Sequence, residues 1–398
     1  MNQIKTIAKN TAFLTAAQVI VIILGLIFVV YVARFLGADG FGKYSFAFAF
    51  TGMFAVFADL GLHILIVREV ARDKNLAGKY IINTGIIKIV LSFVTIALII
   101  LAINLMDYPQ DTTYAVYIVG LYLILTSFSQ VFRSIFMAFE VMEYESLITI
   151  FEKLITVSLG LWVLFSGTQI LGSQLIALVS VFLISGILNI LFSFVICFKK
   201  VVRIDKKSLS KKIKIDFTFW RFLFREGGPF AITSIFAVIY FQIDIVMLSI
   251  MKGDAVVGIY GAAYTMVVTL LVIPITIVTV LFPVMSKFFV SSRDSLKITI
   301  EKSVKYVFAL GFPIAVGTTL LADNFILLLY KDGFLLSIVA LQILIWGIPL
   351  RFINVITSNA LAAIDRAWIR TNAAIACCFV NIGANLILIP MYSFKGAA

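Results

Sequence analysis

The chain has 398 residues, of which 62% are hydrophobic and 13% charged, and the charges gather into short segments between long apolar runs. That composition belongs to membrane proteins and excludes an ordinary soluble domain. The net charge of +12 raises nucleic acid as a partner, but the distribution of the charge argues for membrane topology instead.

A bilayer core about 30 Å thick takes about 20 apolar residues per helix. Eleven runs of that kind are read in chain order, at about 11–33, 44–66, 81–106, 114–138, 147–166, 171–198, 228–251, 260–286, 305–330, 334–357 and 370–392. The first follows Lys5 and Lys9 and exceeds the roughly 7–15 apolar residues of a signal peptide, so it is expected to stay as a helix. None has the alternating pattern of a barrel strand. The expected fold is an all-α integral membrane bundle. Cys197, Cys377 and Cys378 fall in or beside the runs with no C-x-x-C or Cys/His spacing, so neither a disulfide framework nor a metal site is expected, nor any cofactor.

With the N-terminus in the cytoplasm, the cytoplasmic segments hold 23 Lys and Arg, the exterior segments five and the spans four. This positive-inside bias predicts a multi-pass protein of the cell membrane with a cytoplasmic N-terminus. Ten of the 23 lie between residues 199 and 226, with the apolar-aromatic run FTFWRFLF. The segment reads either as a surface helix on anionic lipid or as a solvated linker.

Residues 37–44, GADGFGKY, nearly match the phosphate loop G-x-x-x-x-G-K-[S/T], failing at Tyr44. A phosphate loop follows a strand and opens a helix, whereas this stretch joins two apolar runs on the exterior side. Residues 253–260, GDAVVGIY, repeat its Gly, Gly and Tyr at an offset of 216. Both copies follow an odd-numbered span, so two related lobes are expected: residues 1–200 with six helices, a basic linker at 201–227, and residues 228–398 with five. Glycine suits the turn, and tyrosine suits the membrane-water boundary.

RFLGADGFGKY, FADLGLHILIVREVAR, FREGGPF leading to YFQIDIVMLS, GDAVVGIYGAAY and NLILIPMYSFKGAA together resemble the polysaccharide-biosynthesis flippases, relatives of MATE-type exporters and lipid II flippases. The resemblance runs along nearly the whole chain. It implies a two-lobe transporter that moves a polyprenyl- or dolichyl-diphosphate-linked oligosaccharide by alternating access, without covalent chemistry, beside glycosyltransferase or polymerase partners. It also implies 12 to 14 helices, so a C-terminally shortened second lobe is expected here. A MATE-type cation-coupled multidrug exporter is the alternative. A membrane glycosyltransferase or polymerase is disfavoured, because it would need large exterior loops and the longest here has roughly ten residues.

Ionisable groups inside spans cost roughly 2.5–3.5 kcal/mol each on insertion scales, so each needs a reason. Lys88, Arg133, Lys153 and Arg351 either snorkel to the inner interface or line a cavity for the substrate diphosphate. Asp59 and His63, four apart, share a helix face and are candidates for ion coupling, with a structural hydrogen bond as the other reading. Glu152 and Asp244 join them as coupling candidates; Glu152 needs a partner other than its neighbour Lys153, and Asp244 has no evident helical counter-ion. Asp323, near an exterior end, is expected to be hydrated. Asn354, Asn359, Asn381 and Asn385 either bind sugar hydroxyls or join helices. Pro274, Pro283, Pro313 and Pro349 are expected to kink their spans.

Overall fold

The computed structural model describes residues 2–204, 217–364 and 366–398. Among them are helices α1 (Asn2–Ala55), α2 (Leu62–Arg72), α3 (Ala77–Asn104), α4 (Gln110–Ala138), α5 (Met142–Ser166), α6 (Gln174–Ile204), α7 (Phe217–Lys252) and α8 (Asp254–Thr269). These are followed by α9 (Val272–Ser291), α10 (Arg293–Leu320), α11 (Ala322–Tyr330), α12 (Ser337–Leu344), α13 (Ile348–Ala363), α14 (Ala367–Tyr392) and α15 (Phe394–Ala397). Ten stretches are long and apolar enough to cross a membrane. The first, Phe13–Ala58, has 46 residues, about 69 Å of helix, which is enough for two crossings. It bends at Gly37, whose φ of 68° needs glycine. The ten stretches thus hold all eleven expected runs.

Several boundaries move. The run at 44–66 breaks after Ala55 into a single 3-10 turn, Val56–Ala58, and left-handed Leu60 and Gly61 start α2 in a new direction. The run at 305–330 divides at Leu321 into α10 and α11. Pro349 stands in the first turn of α13, where its missing N–H leaves nothing unbonded, so it starts a helix and does not kink one. Pro313 lies inside α10, and Pro283 within α9. Pro274 follows the break at Leu270 and Leu271, as expected where a proline ring clashes with the carbonyl four residues before it.

The segment FTFWRFLF is neither a detached surface helix nor a solvated linker. It is the start of the 36-residue α7, continuous with the next span. Leu223 is fully buried, and Phe219 and Trp220 pack on the same cluster. Trp220 Nε1 donates to Asn83 Oδ1 at 3.1 Å, and Lys79 Nζ lies 4.3 Å from the Phe219 ring centre. Arg68 of α2 donates to Glu226 Oε2 at 2.9 Å and to Glu69 Oε1 at 2.8 Å. The Glu226 bond, more than Glu69, raises the Arg68 guanidinium above its ordinary value, so this clasp stays charged at any physiological pH. The most basic part of the expected linker, 205–216, lies outside the described residues.

The helices form two compact units. Unit 1 comprises 1–24 and 47–242, and unit 2 comprises 25–46 and 243–398. This division does not follow 1–200 and 228–398: residues 25–46 pack with the later helices, and residues 228–242 with the earlier ones. In unit 1, Leu62, Leu65 and Ile66 of α2 meet Tyr80 and Ile87 of α3, Val131 and Ile135 of α4, Ile148 of α5 and Leu223 of α7. Beside this apolar core runs a polar seam between α4, α5 and α6. Ser129 pairs with Ser193 and Thr156 with Ser185, each at 2.9 Å, the side-chain bonding that joins helices in lipid.

The repeated motif explains itself in unit 2, because its two copies pack against each other. A methyl group on Gly42 would collide with the Asp254 carbonyl, and one on Gly258 with the Ala38 carbonyl. Ala38 and Asp254 are themselves related by the offset of 216, so the contact is reciprocal. Gly37 and Gly253 take matching backbone angles, φ 68° with ψ −177° and φ 86° with ψ 173°. The first glycine of each copy makes the turn; the second lets two helices approach until backbone meets backbone. The tyrosines correct the expectation of an interfacial role: Tyr44 and Tyr260 are only 9% and 1% exposed.

Gly42→Ala and Gly258→Ala are each expected to destabilise the protein by about 1–3 kcal/mol through overpacking. Gly52→Ala, inside α1 with nothing within 4 Å of the added methyl, is expected to be neutral or stabilising by about 0.5–1 kcal/mol. Thermal unfolding in detergent checks both signs.

Candidate functional site

The break after α1 builds the first cluster. Asp59 ends the 3-10 turn and His63 sits in the first turn of α2, so the pair forms across a helix break, not along one helix face. His63 Nδ1 bonds Asp59 Oδ2. Lys88 enters from α3, fully buried, and donates to Asp59 Oδ1 at 2.5 Å, Ser127 O at 2.8 Å and Ser127 Oγ at 2.7 Å. An ammonium has three donors, and here all three are used. Leu60, beside it, holds a φ of 45°, unusual for a branched side chain. On α4, Arg133 makes a two-pronged contact with Glu145 Oε1 through Nε and Nη2, fixing α4 to the first turn of α5.

A second cluster centres on Glu152 of α5. Tyr122 OH donates to Oε1 at 2.9 Å and Asn189 Nδ2 to Oε2 at 2.8 Å. Asn189 also reaches Ser129 at 3.1 Å, while its own Oδ1, buried, has no partner among the described residues. Glu152 and Lys153 both line a cavity of about 190 Å³ with Tyr122, Thr149, Thr156 and Phe182. Lys153 makes no hydrogen bond or ion pair among the described residues.

Unit 2 holds a third cluster along α7, α8, α13 and α14. Asp244, buried, accepts from Asn385 Nδ2 at 2.7 Å and from Tyr260 OH at 3.2 Å, and Asn385 donates to Asn381 Oδ1 at 2.5 Å. Tyr260 stacks on Tyr264 with centroids 5.6 Å apart, and the Arg351 guanidinium lies 5.7 Å from the Tyr264 ring centre. Arg351 Nη1 is buried with no hydrogen-bond partner among the described residues. Asp323 and Asn354 are exposed, and Asn359 donates to Val355 O of its own helix. The three cysteines are free. No group of three or more His, Cys, Asp or Glu able to hold a metal occurs among the described residues.

Sequence reading passed over Tyr122, Ser127 and Asn189, and assigned Tyr260 to an interface. Asn189 had a usable signal: it is a lone amide in the apolar run VFLISGILNILFSFV, and a polar group in hydrocarbon needs a partner.

Helices of membrane-spanning length, polar clusters within units and no strand among the described residues define a multi-pass membrane protein with a transporter fold. The profile of the polysaccharide biosynthesis protein family matches residues 7–289, and the chain belongs to that family. The MatE profile matches residues 229–387. A probable low-salt glycan biosynthesis flippase, Agl15 of Haloferax volcanii, is 23% identical over 376 residues, 93% of this chain and 75% of that protein. The inward-facing structure of a multidrug-resistance MATE transporter of the MOP superfamily superposes with a TM-score of 0.74 at 17% identity, covering 94% of this chain and 88% of that one. The lipid II flippase MurJ, inward closed, gives 0.71 at 18%, covering 96% and 82%.

Lys88→Met alone leaves the Asp59 carboxylate without its cation and is expected to cost about 3–5 kcal/mol, whereas adding Asp59→Asn should recover much of the loss. Unfolding of the single and double variants measures the coupling; additive losses would break the pairing.

Proposed function

We propose that the protein carries a polyprenyl- or dolichyl-diphosphate-linked oligosaccharide across the cell membrane by alternating access, for surface-glycan synthesis. In this reading the N-terminus is cytoplasmic, as the positive-inside charge bias favours, and residues 1–200 and 228–398 are related lobes. The lipid tail stays in the bilayer, only the headgroup crosses the polar interior, and no bond is made or broken. Glycosyltransferases or a polymerase would supply and consume the substrate.

The observation that carries the reading is Arg351. A buried guanidinium nitrogen with no partner among the described residues at bilayer depth calls for an anion, and diphosphate oxygens match its fork. Family membership and the names of Agl15 and MurJ support the same substrate class. Lys153, without a hydrogen bond or ion pair among the described residues, is the second cation assigned to the headgroup. Lys88 and Arg133, already held by Asp59 and Glu145, are assigned to positioning helices. Asp244 with Asn381 and Asn385, Glu152, and the Asp59–His63 pair are the groups assigned to coupling a proton or cation to the cycle.

The MatE match favours a second reading, export of organic cations. Against it stands the chemistry of Arg351 and Lys153, which repel such a substrate.

In proteoliposomes, a fluorescent polyprenyl-diphosphate oligosaccharide should be translocated by the wild type. Losing one charge-assisted contact of about 1.5–3 kcal/mol in Arg351→Ala should slow it roughly 10- to 150-fold, with Arg351→Lys intermediate. Export of ethidium-like cations, with no movement of the glycolipid, would favour the second reading.

A further inference from the structure

We infer that unit 1 contains a subsite for a single sugar ring of the transported headgroup, in the cavity lined by Tyr122, Thr149, Glu152, Lys153, Thr156 and Phe182. This rests on the glycolipid reading above and adds to it which part of the substrate unit 1 reads.

Size comes first. The cavity, about 190 Å³, lies below the roughly 300–1,000 Å³ of sites that enclose drug-sized ligands. It takes one ring, not a whole oligosaccharide.

The walls match a ring with apolar faces and hydroxylated edges. Tyr122 and Phe182 meet edge to face at 5.5 Å, and Phe48 closes the cluster at 4.8 Å from Phe182 and 6.4 Å from Tyr122. Such rings offer an apolar surface to the C–H face of a pyranose, with the Tyr122 hydroxyl turned away to hold Glu152.

The polar atoms divide into acceptors and one free donor group. Thr149 Oγ1 donates to Glu145 O at 2.9 Å, and Thr156 Oγ1 donates to Glu152 O and Ser185 Oγ, each at 2.9 Å. With their protons engaged, both hydroxyls present lone pairs to a ligand. Glu152 accepts one neutral hydrogen bond on each oxygen and keeps capacity for another. Lys153 supplies ammonium donors that meet no protein acceptor among the described residues. Acceptors beside a free donor suit the paired hydroxyls of a sugar, each of which donates and accepts. A phosphate would face the Glu152 carboxylate, and an organic cation would face Lys153, so neither fits as well.

Two fluorescent lipids test this in proteoliposomes: polyprenyl diphosphate bearing one N-acetylhexosamine, and the same lipid without sugar. The reading is the ratio of their rates at equal concentration. The wild type should favour the sugar-bearing lipid, and Phe182→Ala, Thr149→Val and Lys153→Met should each lower the ratio roughly three- to tenfold. A wild-type ratio of one overturns the subsite, as does a ratio unchanged in all three variants, even when both rates fall together through misfolding. If the wild type moves neither lipid, the glycolipid reading fails and the subsite fails with it.

Discussion

Hydrocarbon leaves an ionised side chain only two stable options, a partner or an aqueous or ligand-filled cavity, and the polar interior here is sorted by that constraint. Lys88 has three acceptors, Arg133 has Glu145, and Asp244 has a tyrosine and an asparagine. These groups tie helices together. Arg351 and Lys153 are held only in part, by an aromatic ring in one case and by nothing bonded in the other. The incomplete pairs are where substrate chemistry enters.

The same economy shapes the backbone. Without water to compete for, helices in lipid gain from close packing, and small residues permit it. Gly42 and Gly258 bring the two copies of one motif together so tightly that neither tolerates a Cβ. A segment whose sequence imitates a phosphate loop is thus a packing device. Its lysine, Lys43, lies 3.6 Å from Asp39, four residues earlier on the same helix. The break at Leu60 and Gly61 serves the opposite end of the argument: by redirecting the chain it sets Asp59 against both His63 and Lys88, which a straight helix would not do.

Hydropathy made the eleven runs legible, because it reports removal from water and little else. It did not reveal the breaks at 59–61 and at Leu321, since apolar residues continue through both. Nor did it reveal partners. Lys88 and Asp59 are 29 residues apart, and Asp244 and Asn385 are 141 apart, and lipid-facing and helix-facing positions are both apolar, so no periodicity marks the inner face. Asp59 and His63 were paired for the wrong geometric reason, yet correctly, because four residues also span this turn. The segment FTFWRFLF looked like a lipid-surface helix because its aromatics suit an interface. Its actual seat, under Tyr80 and Asn83, depends on α3, which the segment's own sequence cannot announce.

The most direct test is equilibrium binding to the purified protein in nanodiscs, comparing polyprenyl diphosphate, uncharged polyprenol of the same length and an organic cation such as tetraphenylphosphonium. If partly held cations await an anionic headgroup, the diphosphate binds at least tenfold more tightly than the polyprenol and the cation does not compete. Binding of the cation, with the diphosphate no tighter than the polyprenol, would contradict the assignment of Arg351 and Lys153 to an anionic lipid.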